Sequence, residues 1–336
     1  MNRNRLVTLK SKPQGRIMAN NFEIVTCPLF EPADRQLLLR NLYLSIDPGV
    51  RNLLGADEGY LPPIKVGSPV TCSVLGTIVE SRHEGFLPGE LIVGRGMMGD
   101  YSIVEPNALC WKVKVDAFPL LSNALGVCGN TGRTAYFGLL EAGRAKSGQT
   151  VLVSGAAGSV GSIAGQIARL EGCRAVGIAG GPEKCARLVD EFGFTDAVDY
   201  HEASGADLSA AIAAVCPDGV DVFFDNVGGG ILDAALPVMN FGGRVAVCGL
   251  MSQYDGIPQP AMQNLFLIVA KALTIQGFLL PQFADQYPQA DAYLARAIAD
   301  GAMHFREQIF EGLESAIPAF VRQFNSTIHG KPMVKL

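Results

Sequence analysis

The chain has 336 residues, 49% apolar and 18% charged, with a formal net charge of −5. At roughly 100–200 residues per domain this is about two domains with ample core, which excludes a disulfide-stapled miniprotein. The mild acidity argues against a nucleic-acid or polybasic membrane surface. No apolar run approaches the about 18 residues of a membrane span; Leu265 to Ala270, for example, ends at Lys271. The basic start is followed by polar residues through Gln14 where a leader would have an apolar core, so a cytoplasmic protein is expected.

Residues 1–125 read as mostly β, with short runs such as Gln36–Asn41, Val74–Ser81, Glu90–Val93 and Tyr101–Val104 set between proline and glycine turns. From about residue 126 the pattern changes. Thr150–Ser154 is an apolar strand and Ser159–Leu170 a small-residue helix; Arg174–Ile178 is a strand, Glu183–Phe192 a helix and Ala197–Tyr200 a strand. Leu208–Val215 then reads as a helix, Val220–Asp225 as a strand, Ile231–Met239 as a helix and Arg244–Cys248 as a strand. Met262–Ala272 is the last helix of this series and Leu273–Phe278 its last strand. Strands that are apolar on both faces and alternate with helices predict an α/β, doubly wound parallel sheet. The tail from about 302, with short elements at His304–Phe310 and Met333–Leu336, returns to the earlier pattern and is expected to rejoin the first domain.

The strand Thr150–Ser154 runs into Gly155-Ala156-Ala157-Gly158-Ser159-Val160-Gly161 and then a helix. This is G-x-G-x-x-G with its first glycine replaced by Ala156. Gly158 lets the backbone approach a pyrophosphate, Gly161 lets helix and strand pack closely, and the helix start offers free N–H groups to the anion. The context of strand, turn and helix marks a dinucleotide site. A site for NAD usually carries Asp or Glu at the end of the second strand; here that strand runs into Ala179-Gly180-Gly181 with no carboxylate. Lys184, at the start of the next helix, suits a ribose 2′-phosphate, so NADP(H) is expected. Glu183 is the rival, as a partner for a free 2′-hydroxyl.

The eight cysteines are scattered without C-x-x-C spacing, and the four histidines form no cluster; no metal site is expected from them.

Together with Tyr43-Leu44-Ser45-Ile46-Asp47-Pro48, Arg51, Gly126-Val127-Cys128-Gly129, Thr134 to Leu139, Asp225-Asn226-Val227-Gly228-Gly229, Ser252-Gln253-Tyr254, Gly277-Phe278 and Gly330-Lys331, these features resemble the medium-chain dehydrogenase/reductase superfamily. The closer resemblance is to its zinc-free branch of prostaglandin and leukotriene reductases, curcumin reductases and alkenal double-bond reductases. It implies a GroES-like β domain from residues 1–125 and 302–336 and a Rossmann NADP(H)-binding domain from 126–301. It also implies that Gly158, Ser159, Val160 and Gly161 hold the pyrophosphate, and Lys184 with Tyr200 the 2′-phosphate. Asn226, Cys248, Gly249, Ser252 and Tyr254 would line the adenosine and ribose side, with Phe278, Leu279 and Leu280 bordering the nicotinamide. A homodimer is common in such proteins.

The implied reaction is NADPH-dependent reduction of the C=C bond of an enal or enone, which needs a donor for the developing enolate oxygen. Tyr254 is the candidate, either as that donor or as a residue that orients the cofactor. A quinone reductase, or an NADPH-binding protein without turnover, is the alternative. Gly49 stands where a tyrosine is usual, Asn130-Thr131 replaces the usual Met-Pro, and Ile328 stands in the place of an asparagine that contacts cofactor. Arg133 either draws an acidic substrate or forms a surface salt bridge. Asp47 and Arg51, four residues apart, either touch substrate or, as is expected from their spacing, pair with each other.

Overall fold

Short apolar runs broken by proline and glycine become strands in the computed structural model, which describes residues 3–55, 62–114, 118–203, 205–256, 258–324 and 328–336. The first part of the chain gives β1 (Arg3–Leu9), β2 (Phe22–Pro28), β3 (Leu37–Ser45), β4 (Thr71–Ser81), β5 (Leu91–Met97), β6 (Tyr101–Val104) and β7 (Trp111–Val113). The middle gives α1 (Asn130–Phe137), β8 (Thr150–Ser154), α2 (Ser159–Leu170), β9 (Arg174–Ala179), α3 (Pro182–Asp190), β10 (Asp196–Asp199), α4 (Ala206–Val215) and β11 (Val220–Asp225). There follow α5 (Gly229–Ala235), β12 (Met239–Val247), α6 (Phe266–Ala270), β13 (Thr274–Gly277), α7 (Tyr287–Ala299), β14 (Glu307–Glu311), α8 (Ala316–Gln323) and β15 (Lys331–Lys335).

The contacts divide the chain into two units. One comprises residues 1–126, 254–256 and 307–336, the other residues 127–253 and 257–306. In the first, a sheet of order β14-β15-β3-β4-β5-β7 is largely antiparallel, with β6 also paired to β3 and a separate hairpin of β1 and β2. Leu37, Leu39, Leu44 and Val74 from its strands bury against Phe320 of α8 and Val334 of β15.

The second unit is the expected doubly wound sheet. Its six strands are parallel, in the order β10-β9-β8-β11-β12-β13. Every residue of β8 is buried, as a strand covered on both faces requires. The order reverses between β8 and β11, so the C-terminal ends of these two strands flank the crevice where such sheets bind ligands. The Gly-rich turn follows β8 and Asn226 follows β11, one on each side of that point.

Several elements differ from the sequence reading. The apolar run Met262–Ala272 forms helix only over Phe266–Ala270, because Asn264 is tied to α5. Its N–H donates to Asp233 Oδ1 (2.8 Å) and its side-chain amide to the Asp233 carbonyl (3.0 Å). Helix α7, not singled out in the sequence, buries Tyr287, Ala290, Leu294 and Ala297, an i, i+3, i+4 stripe. Among the described residues no helix is long and apolar enough to cross a membrane.

Candidate active site

The turn after β8 is built by close packing. A Cβ on Gly161 would stand 2.4 Å from the Gly155 carbonyl oxygen and 2.9 Å from Ala156 Cα, both backbone atoms. Only glycine therefore lets α2 start this close to the strand. On Gly158 the same construction gives 3.1 Å to the Gly155 oxygen, a tight but softer contact. The alanine at the first glycine position is explained by β9. Ala156 is fully buried, and a Cβ on Gly177 would lie 2.9 Å from the Ala156 methyl, so the missing side chain at 177 makes room for the methyl at 156. The first N–H groups of α2, those of Ser159, Val160 and Gly161, precede the first intrahelical acceptor, and Ser162 N–H is the one that donates back to Gly158. They are available to an anion.

The tips of β9 and β10 close over one carboxylate. Asp199 Oδ1 accepts from the Gly181 N–H (2.8 Å) and the His201 N–H (2.9 Å). Burial opposes ionisation of Asp199, but these two N–H groups outweigh it and hold the carboxyl below its ordinary range. Lys184 lies in the first turn of α3. Burial, and then the Arg187 charge, push its ammonium below the ordinary lysine range, with Glu183 offsetting part of this. Glu183 itself accepts from Arg187 one turn on, at 2.9 Å. The carboxylate proposed as a rival partner for a 2′-hydroxyl is thus engaged along its own helix. Tyr200 packs on the apolar core of the sheet and stands edge-to-face with His201, ring centres 4.5 Å apart.

The ends of β11 and β12 are locked together around Asp225, which is fully buried. Its carboxylate accepts from Ser154 Oγ (2.6 Å), the Val227 N–H (3.0 Å) and the Gly228 N–H (3.0 Å). Burial raises its pKa in spite of those donors. The Asp225 carbonyl in turn accepts from the N–H groups of Cys248 (2.8 Å) and Gly249 (3.2 Å). Asn226 donates its backbone N–H to Ser154 Oγ (2.8 Å) and its side-chain amide to the Ser154 carbonyl (2.7 Å). Ser252 donates its hydroxyl to the Val227 carbonyl at 2.7 Å. The Cys248 thiol is pushed up to about 12 by burial and by the Asp225 charge, so at neutral pH it is a protonated thiol and not a nucleophile. The sequence gives Asp225 no role; its signal was a carboxylate at the very end of an otherwise apolar strand.

Tyr254 follows a short 3₁₀ turn at Met251–Gln253 and belongs, with Asp255 and Gly256, to the first unit. There Asp255 lies 3.9 Å from Arg51, which is buried and donates to the Gly15 carbonyl at 2.9 Å. Asp47 is held by Lys331 and by Ser45 Oγ (2.7 Å). The expected Asp47–Arg51 pair is therefore absent: the turn after β3 sends the two side chains to different partners, one on β15 and one on the Tyr254 segment. Arg133 is likewise no surface residue. It is 3% exposed, forks onto Asp291 of α7 with two contacts of 2.7 Å, and lies 4.6 Å over the Tyr287 ring. Its role is to join α1 to α7.

Phe278, just past β13, turns inward against Gly138 and stands edge-to-face with Phe224 at 6.3 Å. Leu279 is exposed, and the Leu280 carbonyl accepts from the Tyr287 hydroxyl at 3.0 Å. Ile328 is buried. Among the described residues no group of three or more His, Cys, Asp or Glu side chains could hold a metal ion.

Two family models match the chain: one described as the N-terminal domain of oxidoreductase, over residues 5–112, and one described as zinc-binding dehydrogenase, over residues 159–296. An NADPH-dependent curcumin reductase of Escherichia coli (strain K12) is 35% identical over 341 residues, covering 99% of this chain and 97% of the relative. An NADP(+)-dependent 2-alkenal reductase of Nicotiana tabacum is 38% identical over 335 residues, covering 98% and 97%. The crystal structure of CurA from Vibrio vulnificus in complex with NADPH superposes with a TM-score of 0.91 at 35% identity, covering 98% of each chain.

Proposed function

The chain belongs to the medium-chain dehydrogenase/reductase superfamily, in its zinc-free reductase branch, and from that premise we propose that it reduces the C=C bond of α,β-unsaturated aldehydes or ketones. It is an NADP-dependent oxidoreductase. The observation that carries the reading is the match, over nearly the whole chain, to relatives named for curcumin and 2-alkenal reduction.

The residues fit NADP(H). Gly161 tolerates no Cβ and so brings the start of α2 against the turn, where the N–H groups of Ser159, Val160 and Gly161 would take the pyrophosphate. Lys184 and Tyr200 would take the 2′-phosphate. Asn226, Cys248, Gly249 and Ser252 would border the adenosine and ribose side through a backbone that Asp225 fixes from below. Phe278, Leu279 and Leu280 would border the nicotinamide. When bound, the reduced nicotinamide supplies the hydride.

Addition at the β-carbon moves the π electrons onto the carbonyl oxygen as an enolate. A phenol of pKa about 10 remains protonated at neutral pH and donates a hydrogen bond to such an oxygen. Tyr254 fills this place or holds the nicotinamide ribose, and Asp255, next along the chain, faces the buried Arg51 at 3.9 Å. Protonation of the α-carbon completes the reduction.

We also place the protein in the cytoplasm, as a homodimer. All eight cysteines are free thiols, as a reducing compartment keeps them. Strand β13 is an edge of the parallel sheet, and beside it α6 leaves Phe266 and Val269 74% and 75% exposed. A second copy seated along that edge would cover both.

The test is NADPH oxidation followed at 340 nm against a panel of enals, enones and quinones, with NADH in parallel. Turnover of enals or enones with NADPH supports the reading. A preference for quinones by kcat/KM, or binding of NADPH with no turnover on any acceptor, overturns it.

A further inference from the structure

The glycine at the tip of β9 is covered by a side chain from the turn just past the next strand. A Cβ built on Gly180 would stand 2.8 Å from both Cε1 and Nε2 of His201 and 3.0 Å from Tyr200 Cε1. The imidazole therefore occupies the space that a side chain at position 180 would fill. That is the place where a site for NAD usually presents Asp or Glu to a free ribose 2′-hydroxyl. Here the same space holds a ring with a nitrogen able to donate a hydrogen bond, and His201 is exposed.

Its surroundings favour an anion there. Lys184 and Arg187 stand on α3, and two nearby carboxylates are engaged, Asp199 by the N–H groups of Gly181 and His201 and Glu183 by Arg187, while Glu202 beside His201 is exposed. The Tyr200 ring, edge-to-face at 4.5 Å, fixes the plane of the imidazole. The Asp199 bond to the His201 backbone fixes the chain that carries it.

We infer that His201 is a specificity-determining residue, a third ligand of the cofactor 2′-phosphate beside Lys184 and Tyr200, which excludes NADH by standing where its 2′-hydroxyl would need an acceptor. This rests on the NADP(H) assignment and deepens it.

The test uses the full-length protein and two fragments of the cofactor, 2′,5′-ADP and 5′-AMP, titrated calorimetrically at pH 7. Wild type binds 2′,5′-ADP more tightly. His201→Phe keeps the ring against Gly180 but removes the donor, so it weakens 2′,5′-ADP by about tenfold and leaves 5′-AMP unchanged. His201→Lys restores the preference, and His201→Glu abolishes it. If His201→Phe and His201→Glu bind 2′,5′-ADP as wild type does, or lose both fragments equally, the inference is overturned and His201 is a packing residue for Tyr200. If wild type itself does not prefer 2′,5′-ADP, the NADP(H) assignment fails with it, a result that no His201 variant could produce.

Discussion

Gly161 and Gly158 stand three residues apart in one turn, yet the structure assigns them different work, and alanine at each separates the two. In Gly161→Ala the new methyl meets the Gly155 oxygen at 2.4 Å, and an ordinary contact begins at 3.4 Å, so the start of α2 has to retreat by about 1 Å. The obstacles are backbone atoms of the turn itself and have no rotamer with which to yield. Overpacking of this kind costs about 1–3 kcal/mol. At roughly 2–4 °C per kcal/mol for a unit of this size, the melting temperature falls by about 2–12 °C. In Gly158→Ala the contact is 3.1 Å, a strain that a few tenths of an ångström relieve, and the methyl projects where a pyrophosphate approaches. That variant melts within about 2 °C of wild type but binds NADPH about tenfold more weakly. Differential scanning fluorimetry and a fluorescence titration of NADPH read both. If Gly161→Ala melts with wild type, or if Gly158→Ala binds NADPH with unchanged affinity, the close-packing account of the turn is wrong.

Four further outcomes follow from the same geometry. Tyr254→Phe lowers kcat on an enone by about 10²-fold with little change in NADPH affinity if its hydroxyl serves the enolate; loss of NADPH affinity at unchanged kcat assigns it to the cofactor. Lys184→Ala weakens NADPH by about tenfold and leaves NADH unchanged, read by equilibrium titration; equal losses for the two cofactors remove the 2′-phosphate contact. Val269→Glu puts a charge on the exposed face of α6, and light scattering behind gel filtration returns a monomer where wild type returns a dimer. Burial works against ionisation of Asp47, but Lys331 and Ser45 hold its pKa below the ordinary value. The stability it contributes is present above the unfolded value of about 3.9 and is lost as pH falls through the lower folded value. Acid unfolding of Lys331→Met therefore begins at higher pH than that of wild type, and coincident acid curves would refute this.

The parallel sheet was legible because its signals are local. Thr150–Ser154, Ser159–Leu170 and Val220–Asp225 have the same ends in sequence and structure, since an apolar run with a glycine or a carboxylate at its end marks a strand covered on both faces. The helix expected over Met262–Ala272 was shortened by a tertiary contact, the Asn264–Asp233 bonds, which no periodicity records. Helix α1 was missed because its sequence, Asn130 to Phe137, starts with Asn, Thr and Gly, all poor helix formers, and it is held by Arg133 and Asp291 across to α7.

The same distinction governs the charged residues. Spacing suggested that Asp47 would meet Arg51 and that Arg133 would lie on the surface, because sequence shows only neighbours along the chain. In the structure each finds a partner far away in sequence: Asp47 finds Lys331, Arg51 finds Asp255 and Arg133 finds Asp291. Side chains this buried leave water only for a partner that the fold brings to them, so the identity of that partner is a property of topology. The first two pairs have a common consequence. Lys331 ties the turn carrying Gly49 to β15, and Arg51, from the same turn, ties down the segment carrying Tyr254. The seven-residue 3₁₀ stretch Pro48–Leu54 is thereby held at its start through Asp47 and in its middle through Arg51. We expect a variant that swaps substrate preference at Gly49, which takes part in neither of these pairs, and not at Asp47 or Arg51, where the scaffold would move with the change.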